Sequence, residues 1–230
     1  MVKVEFSISV PPCFPVLYGR MKKICLFALG LVIGLGITGC ASLRKPSVYE
    51  PRAGDLVFQA LDRGVDLVVA IEGVTKSDYS HVGVLLRRDG KWMVFEARSN
   101  GVKAMPFSEW KTLSRKGRWA AYRVKATHQR HLAEFLAALQ PHAGKAYDFK
   151  YELSDDSLYC SELVYHAWRK ATGQRMGQLA RLGDLNWKPY QPVIEKYNGG
   201  PVVLDRQIIS PVALSRAEQL ERVYNHGLDR

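Results

Sequence analysis

The stretch HVGVLLRRDGKWMVFEAR, His81 to Arg98, constrains this chain more than any other. Two apolar runs flank Asp89-Gly90, and Asp-Gly suits a two-residue turn whose central residues both take positive φ. The text therefore predicts an antiparallel hairpin with Arg88 opposite Lys91. In that register Gly83 faces Glu96 and His81 faces Arg98. Alternate residues of a strand show opposite faces, so His81 and Glu96 share a face as diagonal neighbours. Their α-carbons then stand about 7–8 Å apart, within reach of long side chains. Gly83 puts no side chain between them. A carboxylate so placed can fix an imidazole's tautomer and leave its other nitrogen to take a proton.

Shorter signals surround the hairpin. Gly54–Gln59 reads as a strand, Asp62–Glu72 as a helix and Trp119–Val124 as a further strand. His131–Gln140 carries Leu132, Phe135, Leu136 and Leu139 at helical spacing and ends at Pro141 and Gly144. A stronger helix covers Leu158–Ala171 and stops at Gly173; beyond it the chain reads as loop-rich, with a last helix after Pro211. Short antiparallel strands interspersed with helices make an α+β fold, an antiparallel sheet packed against helices.

Cys160 lies in the first turn of that strong helix. Val164, Ala167, Trp168 and Ala171 follow it on one helical face, so the cysteine belongs to the core-facing stripe. Unpaired N–H groups at a helix start favour an anion, and a thiolate is the nucleophilic form of cysteine. Ser157 or Asp156 is the expected N-cap. On this geometry alone, reactive thiol and inert core residue remain equally open. The other histidines, His128, His131 and His166, are weaker partners, and no metal-ligand cluster is visible.

The front of the chain reads as an export signal. From Met21, two lysines precede an apolar run and the ending Ile37-Thr38-Gly39-Cys40. That ending resembles the lipobox of bacterial lipoproteins, which implies lipidation of Cys40 and removal of residues 21–40 as a signal peptide. Residues 1–20 read as an upstream-start artefact and 41–51 as a tether. The globular part is expected over 52–215, with 216–230 as a C-terminal helix or tail. Ala41 after the lipid cysteine resembles lipoproteins sent to the outer membrane, facing the periplasm. Cys13 and Cys25 leave with the leader, so Cys160 has no disulfide partner. The net charge of +11 is spread without a basic run longer than two residues after Cys40. That pattern fits an anionic envelope surface and gives no reason to expect nucleic acid.

Several blocks occur in a telling order: Gly54-Asp55-Leu56-Val57-Phe58, Asp78-Tyr79-Ser80-His81-Val82-Gly83, Val94-Phe95-Glu96-Ala97, Gly144-Lys145-Ala146-Tyr147-Asp148-Phe149, Asp155-Asp156-Ser157-Leu158-Tyr159-Cys160-Ser161-Glu162 and Ile209-Ser210-Pro211. Together they resemble the YiiX/YaeF-type permuted papain-like amidases of the NlpC-like cysteine hydrolases. The resemblance covers most of residues 50–215. It implies a permuted papain-like fold, with Cys160 as nucleophile, His81 as general base and Glu96 as the third polar member. Tyr79 and Tyr159 are implied as oxyanion or site-wall residues, and no cofactor is implied. The expected activity is hydrolysis of an amide in a cell-wall peptide or an acylated amino compound. Two alternatives stand beside it: a lipid acyl hydrolase or acyltransferase using the same site, as in the related lecithin:retinol acyltransferase-like proteins, and a non-catalytic envelope lipoprotein.

Overall fold

The computed structural model describes residues 48–228. The expected leader, the lipid-bearing Cys40, residues 1–20 and most of the tether lie outside them. Eight strands and six α-helices follow in the order β1 (Leu56–Gln59), α1 (Asp66–Thr75), β2 (His81–Arg88), β3 (Lys91–Arg98), β4 (Gly101–Pro106), α2 (Phe107–Thr112), β5 (Trp119–Val124), α3 (Leu132–Leu139), α4 (Cys160–Thr172), β6 (Ala180–Arg181), α5 (Gln191–Asn198), β7 (Gln207–Ile208), α6 (Pro211–Ser215) and β8 (Leu220–His226). Six strands form one antiparallel sheet in the order β4-β3-β2-β1-β5-β8, and β6 pairs with β7 separately. The α+β architecture is the one the sequence implies.

The central hairpin has the register its turn demands. Arg88 pairs with Lys91 and Val84 with Phe95, and Asp89 and Gly90 have φ of 51° and 74°. Both faces of the sheet are covered. On one, Leu56, Phe58, Val82, Val84, Phe95 and Ala97 pack with Leu163, Val164, Ala167 and Trp168 of α4 and Phe135 and Leu139 of α3. On the other, Val57, Leu85, Val94 and Ala121 pack with Phe107, Trp110 and Trp119. This second layer is the reason α2 exists: six residues are too few for a stable isolated helix, and burial of Phe107 and Trp110 holds them.

Gly83 leaves no room for a side chain against β3. A Cβ there would lie 2.3 Å from Val94 Cγ1, 3.1 Å from Glu96 Cβ and 3.2 Å from the Phe95 carbonyl oxygen. Gly83→Ala is expected to cost about 1–3 kcal/mol, the usual range for overpacking, read as a lower denaturation midpoint. It is also expected to push Glu96 off its line to His81, so activity should fall further than stability.

Three expectations are corrected, two of them at the ends of the domain. Residues 216–230 are not a C-terminal helix: Leu220–His226 form β8, paired with β5 from Val124↔Leu220 to Trp119↔His226. Without that partner the outer backbone groups of β5 would be left unpaired. At the front, the tether ends before Tyr49. The Tyr49 ring packs on Phe107, Trp119 and Tyr224, and its hydroxyl donates to Asp55 at 2.7 Å. The cap of α4 is Tyr159, not Ser157 or Asp156. Ser157 is held extended by a parallel bridge to Ala146, and Leu158 N–H donates to the Ala146 carbonyl at 3.0 Å, so helical dihedrals start only afterwards.

Candidate active site

The hairpin delivers a histidine and a carboxylate to one point. His81, 3% exposed, opens β2, and Glu96, fully buried, lies near the end of β3. The segment ahead of His81 is pinned because the Asp78 carboxylate is gripped by Arg115 and Arg118. His81 Nε2 and Glu96 Oε2 are 2.6 Å apart. Arg98 Nε donates to Glu96 Oε1 at 2.5 Å, and Trp110 Nε1 donates to Oε2 at 2.7 Å. Against the cost of burial, the hydrogen bonds from His81 and Arg98 and the Arg98 charge hold the Glu96 carboxyl below its ordinary range. It is therefore an anion and an acceptor, and the imidazole carries its proton on Nε2. Nδ1 is then the basic nitrogen.

His81 itself stays neutral. Burial pushes its pKa below the ordinary value first, the Arg98 charge pushes the same way, and Glu96 opposes both. Arg98, Trp110 and Gln59 were not singled out by the sequence reading. Arg98 was nevertheless traceable, because it lies two residues from Glu96 on the same strand face and opposite His81 in the hairpin register.

Cys160 arrives from the other end of the chain. Helix α4 begins at it because Glu162 reaches back to accept the Tyr159 N–H at 3.2 Å, satisfying a donor that the helix cannot. Glu162 also accepts from Ser154 N–H at 2.8 Å. The first turn is tied to the segment before α6, where Ser161 Oγ donates to the Ile209 carbonyl at 2.7 Å and Ile209 N–H donates to the Tyr159 hydroxyl at 3.0 Å. The cysteine is free of disulfides and only 2% exposed.

The expectation of a lowered thiol pKa is corrected here. Burial pushes Cys160 up to about 11, although the N–H of Val82, the Ser161 hydroxyl and N–H, and the Arg98 charge all favour the anion. Desolvation outweighs the helix start. Val82 directly follows His81, so the thiol faces the backbone at the root of the imidazole. Among the described residues no hydrogen bond joins thiol and imidazole; the sulfur's neighbours include the groups just named and the phenols of Tyr147, Tyr151 and Tyr159. The resting site thus pairs a protonated thiol with a neutral imidazole.

The two tyrosines implied as oxyanion or wall residues occupy different places. Tyr159 is buried behind the nucleophile, its ring 4.6 Å from that of Tyr151 and its hydroxyl used by Ile209. Tyr79 lies in the core, its ring tilted against that of Phe58, with its hydroxyl 2.9 Å from that of Tyr122. Tyr147 and Tyr151 were missed. Their hydroxyls are 3.0 Å apart, and both phenols are raised well above their ordinary pKa by burial first and also by the Cys160 sulfur. They are the aromatic groups on the thiol's side of the site.

A buried imidazole, an oriented carboxylate and a thiol at a helix start form the parts list of cysteine hydrolysis. Comparison with known proteins places that list. Residues 50–224 match the family described as permuted papain-like amidase enzyme, YaeF/YiiX, C92. The chain belongs to the permuted papain-like amidases. It is a cysteine-dependent hydrolase. It is similar to the YiiX protein of Escherichia coli strain K12, at 34% identity over 181 residues that make up 76% of this chain and 87% of the other. It also superposes on a crystal structure of YiiX from Escherichia coli O157:H7, with a TM-score of 0.71 and 32% identity, covering 77% of this amidase and 99% of that one. That YiiX is described as a metalloprotein. Among the described residues of this amidase, no group of three or more His, Cys, Asp or Glu is arranged to hold a metal ion.

An apolar cavity adjoins the site without containing the thiol. It has about 670 Å³ of free space counting its open mouth, and Leu67, Ile71, Val74, Ile194, Ile208 and Ile209 line it. Tyr151 and Ile209 belong both to its wall and to the groups holding Tyr159 and Ser161.

Proposed function

We propose that this chain is an envelope lipoprotein that hydrolyses the amide bond of an acylated amino compound, with Cys160, His81 and Glu96 as its catalytic residues. The observation that carries the reading is the buried His81–Glu96 hydrogen bond, made one residue before the backbone N–H that faces the Cys160 thiol. His81 Nδ1 takes the thiol proton as Sγ attacks the amide carbonyl. The backbone N–H of Cys160, in the helix's first turn, holds the developing oxyanion. The tetrahedral intermediate collapses with breakage of the C–N bond, and the imidazolium gives its proton to the departing amine. Water, deprotonated by the same nitrogen, then hydrolyses the thioester and returns the thiol. Glu96 keeps the imidazole in the tautomer this cycle needs.

The cavity favours an acyl-bearing substrate over a cell-wall peptide, because most of its lining residues are aliphatic or aromatic, with Lys150, Asn198 and Arg206 among the polar ones. The same feature supports an ester-bearing lipid as a second reading. Export, removal of residues 21–40 and lipid attachment at Cys40 would place the domain at the envelope, at the outer membrane.

The purified chain from residue 41 onward is the material for the test. Offered N-acyl amines of increasing chain length, peptidoglycan peptides and phospholipids, it is expected to turn over the longer N-acyl amines and to show an acyl mass on the peptide bearing Cys160. Ile71→Trp, which fills the cavity, should raise KM for long acyl chains by about tenfold while sparing short ones, the scale of a few lost apolar contacts. Turnover of peptides alone would overturn the acyl assignment, and turnover of phospholipids alone would favour the ester reading.

A further inference from the structure

We propose that Arg98 is a positioning residue of this site: its guanidinium ties Glu96 to Gln59 and so turns the free carboxylate oxygen to His81 Nε2, leaving Nδ1 as the base. This rests on the amidase reading above. The geometry is a closed ring of four residues. Arg98 donates through Nε to Glu96 Oε1 and through Nη2 to Gln59 Oε1. Gln59 Nε2 donates to the Trp110 carbonyl at 3.2 Å and to Ser114 Oγ at 2.8 Å. Trp110 Nε1 closes the ring on Glu96 Oε2 at 2.7 Å.

The ring crosses the sheet. Glu96 and Arg98 lie on β3, Gln59 lies on β1 directly opposite His81, and β2 runs between them. The planar fork of one arginine therefore bridges the two strands that flank His81. A lysine has the charge but not the fork.

An ion pair made only for stability would have no need to involve Gln59 or to share its carboxylate with a histidine. Here the two Glu96 oxygens are divided, Oε1 to Arg98 and Oε2 to His81 and Trp110, so the carboxylate cannot rotate without breaking the ring. The guanidinium also opposes protonation of the imidazole, which Glu96 alone would favour. The charged groups that bear on the His81 titration are Glu96 and Arg98, both from β3. From β1 and the α2 side come only the neutral Gln59, Trp110 and Ser114.

The test uses Arg98→Gln and Arg98→Lys in the chain from residue 41 onward. Three quantities are measured: the His81 imidazole titration by NMR with labelled histidine, the pH profile of Cys160 alkylation by iodoacetamide, and kcat and KM on the best N-acyl amine. With the counter-charge gone, the imidazole should protonate more readily. The His81 midpoint in Arg98→Gln should move up toward the ordinary histidine range, and alkylation should gain a component on the acid side that wild type lacks. kcat should fall about 10- to 100-fold with KM little changed, the scale of a misplaced catalytic group. Arg98→Lys should keep the wild-type midpoint and still lose about tenfold in kcat for want of the fork. If both variants keep the wild-type midpoint and kcat and lose only thermal stability, Arg98 is structural and the proposal fails. Should Arg98→Gln not fold, Arg98→Lys decides alone, and wild-type kcat in it overturns the proposal. The NMR titration needs no substrate, so if wild type turns over no amide the amidase reading fails while the His81 midpoint still decides the role of Arg98.

Discussion

Cys160→Ala is expected to abolish amide hydrolysis, lowering kcat/KM by at least about 10⁴-fold, the scale seen when the nucleophile of a covalent hydrolase is removed. The fold should survive. The thiol is a small apolar group in a packed setting, and the change removes a single heavy atom. Substrate binding should persist, because the apolar cavity is lined by α1, α5 and the 206–211 segment and does not include Cys160. The comparison to make is turnover against the affinity of a non-hydrolysed N-acyl amine, alongside iodoacetamide labelling of the chain from residue 41 onward. Labelling should vanish in the variant, because Cys160 is the one cysteine left beyond the lipobox. Turnover within tenfold of wild type would remove Cys160 from the mechanism.

Glu96→Gln should be the second severe change, and the reason is a count of donors. Three N–H groups, from His81, Trp110 and Arg98, converge on the two oxygens of Glu96. Glutamine offers one acceptor oxygen and replaces the other with an NH2 donor. If the amide oxygen faces His81 and Trp110, the NH2 group confronts Arg98 Nε and leaves a mostly buried guanidinium without its counter-ion. If the oxygen faces Arg98, the NH2 group confronts His81 and Trp110. The imidazole must then accept at Nε2 and carry its proton on Nδ1, where it is no use as a base. The first arrangement costs stability, about 3–5 kcal/mol by analogy with a broken buried ion pair. The second costs catalysis, up to about 10⁴-fold for a histidine held in the wrong tautomer. A denaturation midpoint and a kcat measurement on the same preparation separate the two. A variant within threefold of wild-type kcat and unchanged in midpoint would show that Glu96 does neither job.

These arguments use a pair that was legible in the text, for a definite reason. Asp89-Gly90 fixes a register by local turn chemistry, and a register fixes which side chains share a face. His81 and Glu96 followed from that alone. Gln59 and Trp110 could not be placed the same way, because they reach the site through β1 and α2, whose positions depend on contacts distant in the chain. Strand β4 was invisible because Gly101–Pro106 has neither alternation nor a β-branched run. Helix α5 was readable in hindsight, with Pro192 in its first turn and Gly199 in the left-handed conformation at its end. The text left reactive thiol and inert core residue equally open for Cys160, because a helix start can be seen in a sequence and a 2% exposure cannot.

The last strand sets a practical limit on how the molecule can be cut. A protein ended at residue 215 would keep every proposed catalytic side chain, yet it would strip Trp119 to Val124 of its outer neighbour and remove Leu228, which is fully buried. The bared row of peptide groups would run beside Trp119 and Tyr122, offering a second molecule a template to extend. Such a truncated product should form sheet-linked aggregates rather than a weakened monomer, whereas one carried through residue 228 should stay in solution.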